Sequence, residues 1–242
     1  MIWPANVLEM KMSVKNRNNI EDYILESYNK HLKDRKEETI FGSITAYIVD
    51  ELPEHIDLQS VLKKIENLIP EHLTYSIDAI YIEHLEEFDN RSVNAVYKNS
   101  SIYVTNFQDD EADMIDDIIH EIAHSAENMF KKQLYADENI QKEFLGKRKR
   151  LLDLLRQEGY TEYEAAFNNA DYSLAFDTYL HQTVGYPLLR ALTQGLFLSP
   201  YSVTSLREYF AIGFEEYFIR DEAYLRKVSP QLYEKIELIA SY

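Results

Sequence analysis

Cysteine is absent from all 242 residues, which removes a disulfide framework, a thiolate metal site and a cysteine nucleophile together. A metal held by this chain sits on His, Asp or Glu. Glycine and proline are scarce, at six each, leaving little material for long linkers, so nearly the whole chain is expected to be ordered. Positive charge is also in short supply, with 25 Lys and Arg against 42 Asp and Glu and a formal net charge of -17. Nucleic acid and anionic membranes are poor partners for such a chain, because affinity for them comes from cations that neutralise phosphates. Long apolar runs are missing too: no window reaches the length of a membrane span, and the polar residues 11–19 interrupt any signal-like start. A cytoplasmic location is the default expectation, with secretion by another route left open.

What is present is enough apolar sequence for one folding unit with a core and a cleft. Residues 43–49 (SITAYIV) and 77–82 (IDAIYI) gather β-formers, and 93–97 with 102–105 read as a hairpin turning through Lys98, Asn99, Ser100 and Ser101. Helical spacing marks 20–32 and 58–69, the second stopped by Pro70. The longest clear helix, 109–133, opens on Asp109, Asp110 and Glu111, where negative charge suits the helix dipole, and carries the stripe Met114, Ile115, Ile118, Ile119, Ile122, Ala123 and Ala126. Beyond it only helical patterns follow, at 140–157, 162–168, 172–196, 205–219 and 230–240. The basic run Lys147, Arg148, Lys149, Arg150 reads as a solvated helix face. The expected class is α+β: an N-terminal mixed-sheet lobe with the long helix (1–133), a helical lobe (134–242), and a cleft between them within one unit.

The long helix holds His120, Glu121, Ile122, Ala123 and His124. Residues four apart share one helix face, so both imidazoles reach one ion, while the Glu beside the first of them projects towards the water that ion holds. Zinc with three protein ligands keeps an open position, lowers the pKa of its water towards about 7 and polarises a carbonyl. Glu121 is then the general base, passing the water's proton to the leaving amine. The third ligand has to come from later in the chain, from a carboxylate or from His181. The best segment is 205–218 (SLREYFAIGFEEYF), where Glu208 stands among aromatic and small residues, well placed for a buried cation. Glu215, nearly two turns on along the same face, either supports the site from behind or stands in as the ligand. Asp117, one turn before His120, either orients a ligand imidazole or is a solvated charge.

With these residues the sequence resembles the zincin metallopeptidases, and within them the anthrax lethal factor-like and Pro-Pro endopeptidase group, in which an HExxH helix is followed by a helix reading Glu, aromatic, Phe, Ala. Here that segment is Glu208, Tyr209, Phe210, Ala211. The resemblance implies a zincin-like fold, Glu208 as the third zinc ligand, and Tyr201, seven residues earlier, as a hydrogen-bond donor to the oxyanion. The hairpin before the helix also resembles the edge-strand region of thermolysin-like zincins, which implies that Asn94 and Ala95 bind an extended protein or peptide substrate by main-chain pairing. The match covers less than half of the chain. The interval from His124 to Glu208 is longer than usual for the group, which implies inserted helices within 134–200, and residues 1–73 carry no motif. The acidic surface favours encounter with substrates bearing basic residues. Two readings follow: a zinc endopeptidase, or a zincin scaffold retained as an interaction or structural component with vestigial or very narrow activity.

Overall fold

The computed structural model describes residues 36–91, 93–161 and 164–242; the helical pattern at 20–32 lies outside them. Strand β1 (Lys36–Ile40) turns into the antiparallel β2 (Ile44–Ile48). Helix α1 (Leu58–Leu68) then leads to β3 (Ala79–Ile82), parallel to β2. After α2 (Glu86–Arg91) come β4 (Ala95–Lys98) and β5 (Ser101–Val104), with β5 parallel to β3 and β4 antiparallel to β5. The sheet order is β1-β2-β3-β5-β4, so β4 is an edge strand. Its turn closes in two residues because Asn99 and Ser100 take φ of 52° and 59°, the left-handed pair that a tight hairpin requires.

Helix α3 (Glu111–Met129) begins where Asp110 accepts from the amides of Ala112 and Asp113, and it buries the whole stripe from Met114 to Ala126. Then follow α4 (Lys131–Tyr135), α5 (Asn139–Gln157), α6 (Glu164–Phe167), α7 (Leu174–Thr178), a π-helical turn Tyr179–Gly185, α8 (Tyr186–Thr193), a 3-10 turn Tyr201–Val203, α9 (Leu206–Ile219), α10 (Glu222–Val228) and α11 (Pro230–Ala240). Among the described residues after α3 the only β pairing is the isolated bridge Gln194–Phe197. The architecture is α+β, a mixed-sheet lobe followed by a predominantly helical one.

The basic run on α5 is only half solvated. Lys149 and Arg150 are exposed, whereas Lys147 and Arg148 are buried. Charge pattern alone cannot reveal this, because what draws the two side chains inward is a set of distant acceptors. Lys147 Nζ donates to the Tyr209 hydroxyl (2.7 Å) and to Ser229 Oγ (2.6 Å), and Tyr209 donates in turn to Glu143 Oε1 (2.8 Å). Glu143 also accepts from the amides of Gln231 (2.9 Å) and Leu232 (3.3 Å) at the start of α11. Helices α5, α9 and α11 are thus joined by one polar chain.

Helix α9 is apolar on nearly every side, with Tyr209, Phe210, Ala211, Ile212 and Phe214 all buried. One side meets α3. On another, Gly213 lets α11 approach so closely that a Cβ there would lie 2.3 Å from Leu232 Cδ2 and 2.9 Å from Leu232 Cγ. Gly213→Ala should therefore force the two helices apart. After allowance for the better helix propensity of Ala, a loss of about 1–2 kcal/mol is expected, read as a lower denaturant midpoint at unchanged slope. A midpoint equal to the wild type would mean that Leu232 yields at no cost.

Candidate metal centre

Two helices from the two halves of the chain build the centre. Helix α3 presents His120 and His124 on one face, their rings edge-on with centroids 4.8 Å apart. Helix α9 presents Glu208 from its first turn, where Ser205 caps the helix by accepting from the Glu208 amide (3.1 Å). Glu208 Oε2 lies 3.1 Å from His120 Nε2, and Oε1 lies 3.7 Å from His124 Nε2. Ligand atoms of the three residues all fall within 4.8 Å of one another. The cluster is sheltered but reachable, with side-chain exposures of 18% for His120, 12% for Glu208 and 5% for His124.

Its electrostatics describe a site short of positive charge. Burial works against a charge on His120, but hydrogen bonds to Glu208 and Glu215 outweigh it and raise the pKa to about 10. His124 is pushed well below the ordinary histidine value, first by burial. Burial would raise Glu208, yet the His120 hydrogen bond and the histidine charges hold it below the usual value. One imidazolium is therefore divided between two carboxylates in a poorly solvated place. Two imidazole nitrogens and a carboxylate oxygen are donors that a divalent first-row ion takes readily, and its charge answers the local excess of carboxylate.

Glu121 is buried beside the cluster. Its Oε2 accepts from the Tyr97 amide of β4 (2.5 Å), and burial raises its pKa to about 6. Glu215 Oε1 meets His120 Nδ1 at 2.5 Å, behind the nitrogen that faces Glu208, and Arg220 holds the other Glu215 oxygen at 3.0 Å. Asp117 accepts from Gln108 Nε2 (3.1 Å), shares a side-chain hydrogen bond with Asn94 and feels the charge of His120, with burial raising its pKa to about 6. The Asn94 carbonyl accepts from the Thr105 amide (2.8 Å), and Ala95 opens the edge strand. Tyr201 begins the 3-10 turn before Ser205, its carbonyl accepting from Thr204 N (3.0 Å) and Oγ1 (2.8 Å). His181 lies exposed in the π-helical turn against Tyr186, outside the cluster.

Two neighbours of His124, and a third residue behind one of them, escaped the sequence. Arg207 Nε lies 3.0 Å from His124 Nδ1, Glu127 Oε2 lies 3.9 Å from the same nitrogen, and the Tyr135 hydroxyl donates to Glu127 Oε1 (2.5 Å). Glu127 was within reach of pattern reading, since it follows His124 by three residues on one helix face. Arg207 and Tyr135 carry no comparable signal.

Two changes test this arrangement. Glu215→Gln removes the charge behind His120, and metal affinity, measured by competition with a chromophoric chelator, should fall roughly 10–100-fold; undiminished affinity would separate Glu215 from the metal. For Asp117 the folded pKa lies above 3.8, so its contribution to stability is fully present below about 3.8 and lost as pH rises through about 6. Asp117→Asn has no such dependence. Its stability relative to the wild type should climb by roughly 2 kcal/mol between about pH 4 and pH 7 in denaturant titrations, and a flat difference would refute the assigned shift.

Comparison with known protein families, curated proteins and solved structures finds no match, so the geometry carries the conclusion. The His120-Glu121-x-x-His124 motif and the distal Glu208 form a clustered metal-binding site consistent with an HExxH zincin-type active site, and this ligand set supports the metal-activated hydrolysis typical of gluzincin peptidases.

Proposed function

We propose that this protein is a zinc-dependent endopeptidase, with His120, His124 and Glu208 as zinc ligands. The observation that carries the proposal is the convergence of those three residues within 4.8 Å, beside a buried carboxylate on the same helix turn. When bound there, zinc supplies an activated water and polarises the scissile carbonyl. Everything else is done by the chain itself.

Glu121 takes the proton of the attacking water and delivers it to the leaving amine. A carboxylate with a pKa of about 6 is largely ionised at neutral pH and is a stronger base than an exposed one. The Tyr97 amide fixes one Glu121 oxygen, so the base is aimed by the edge strand as well as by its helix. Tyr201 donates to the oxyanion as the carbonyl becomes tetrahedral. The substrate backbone pairs along β4: the Asn94 carbonyl bonds towards β5, so by strand alternation the backbone groups of Ala95 face the other side, the one on which the Tyr97 amide meets Glu121. Ala95 thus offers its main chain to the substrate, with Asn94 beside it completing the substrate-binding pair at the start of the strand, for a protein or peptide with basic residues favoured by the acidic field. Residues 1–133 and 134–242 act as one catalytic unit, since the ligands come from both. Among the described residues no helix is long and apolar enough to cross a membrane.

The test is cleavage of a diverse peptide library, read by mass spectrometry, with zinc-loaded wild type and Glu121→Gln side by side. The variant should keep its zinc and lose about 10²–10⁴-fold in kcat/KM. Equal cleavage by both would sink the mechanism, and a wild type that holds zinc yet cleaves nothing would favour the scaffold reading.

A further inference from the structure

The helices between α3 and the Tyr201 turn take no part in the chemistry just described, but one of their side chains reaches it. Arg148 on α5 is fully buried, at 0% exposure. Among the described residues no carboxylate pairs with it. Its guanidinium lies between the rings of Phe144 and Phe176, 4.5 and 4.7 Å from their centroids. All of its donors go to main-chain carbonyls: Nε to Val203 (2.8 Å), Nη2 to Val203 (2.5 Å) and Thr204 (2.6 Å), Nη1 to Ala166 (3.0 Å) and Asn169.

Burying a guanidinium without a counter-charge is expensive, and an apolar side chain of similar volume is generally the more stable choice for a core. What the arginine alone provides is a rigid fork that holds several carbonyls in fixed relative positions. Two of them, on Val203 and Thr204, lie in the short stretch between Tyr201 and Ser205, the cap that starts α9 just ahead of Glu208. The other two belong to the segment at and beyond α6, which also accepts from the Leu206 amide through Ala170 (2.8 Å). The inserted helices therefore grip the C-terminal side of the turn and the start of α9.

We propose that Arg148 is a positioning residue for the hydrolytic site: by holding the carbonyls of Val203 and Thr204 it sets the turn that carries Tyr201, and the inserted helices serve to keep that turn in register with α3. The inference rests on the peptidase reading above. It also assigns a division of labour. The Thr204 carbonyl that Arg148 holds adjoins Ser205, but Glu208 is held in addition by the cap's own hydrogen bond and by the packing of α9 between α3 and α11, whereas Tyr201 sits on the turn itself. Loosening Arg148 therefore moves the oxyanion donor and spares the metal.

The experiment uses the full zinc-loaded chain, a peptide taken from the library, and Arg148→Lys and Tyr201→Phe, singly and combined. Circular dichroism verifies folding at the assay temperature. Arg148→Lys should lose about 10–100-fold in kcat, as expected for a displaced catalytic group, with KM and zinc affinity within about threefold of wild type. In the Tyr201→Phe background the same change should have almost no further effect, because both act through one hydroxyl. A wild-type kcat, additive losses, or loss of zinc would each overturn the positioning role. Should Arg148→Lys not fold, Phe176→Leu frees one face of the guanidinium, and the same kcat-only, non-additive loss is expected; unchanged kcat overturns the proposal. An inactive wild type brings down the peptidase reading and the positioning role together, whereas an active wild type with an indifferent Arg148→Lys brings down the second alone.

Discussion

Carboxylates set into a helix that is apolar on nearly every side are the constraint to which the rest of this structure answers. Glu208 and Glu215 lie about two turns apart on α9, the first largely and the second almost wholly withdrawn from water. A buried carboxylate has to find a cation or a set of donors. Here α3 supplies one imidazole between the two acids, Arg220 braces Glu215 from outside, and the capped first turn aims Glu208. The crossing of α3 and α9 is therefore a chemical fit as well as a hydrophobic one. That is why a site assembled from residues 88 positions apart closes to within hydrogen-bonding distance.

The sheet has a more limited duty. Its central strands are parallel, and only the last hairpin brings an edge to the helix. Because β4 is short and lies at the border, one of its amides is left for Glu121 and not for another strand. A fold with β4 in the interior would have spent that amide on a ladder. Edge strands usually have to be shielded against chance pairing; this one is partly occupied by the base that would act on whatever paired with it.

What could be read in advance follows a physical line. His120, Glu121 and His124 were legible because helix geometry converts their spacing into a shared face. The sheet-then-helices order followed from the two hydrophobic periods, and the β4–β5 hairpin from its turn residues. Strand β1 was not legible. It carries Lys36, Glu37 and Glu38, ordinary for an edge but not for a predicted strand, and its turn begins with Phe41 at φ 53°, a conformation in which a bulky residue is seldom found. Arg148 was misread for a related reason: four carbonyls contributed by chain 18 to 56 residues away leave no trace in the local charge pattern. Glu208 was singled out by its aromatic and small neighbours and given its ligand role by a resemblance, since nothing in local periodicity separates a buried ligand from a buried error.

The distribution of ligands along the chain also sets when the site can exist. Both histidines lie near the middle, on a helix whose inner face is already closed by the sheet and α1. The carboxylate arrives on α9, and the packing that fixes α9 arrives later still, with Leu232 and Ile236 against Gly213. A growing chain thus carries a pair of imidazoles with no carboxylate partner until α9 has been made. Such a pair grips an ion weakly, and no partner is at hand to complete the set. Completion of the three-residue ligand set therefore waits for α9 and for the helix α11 that packs behind it.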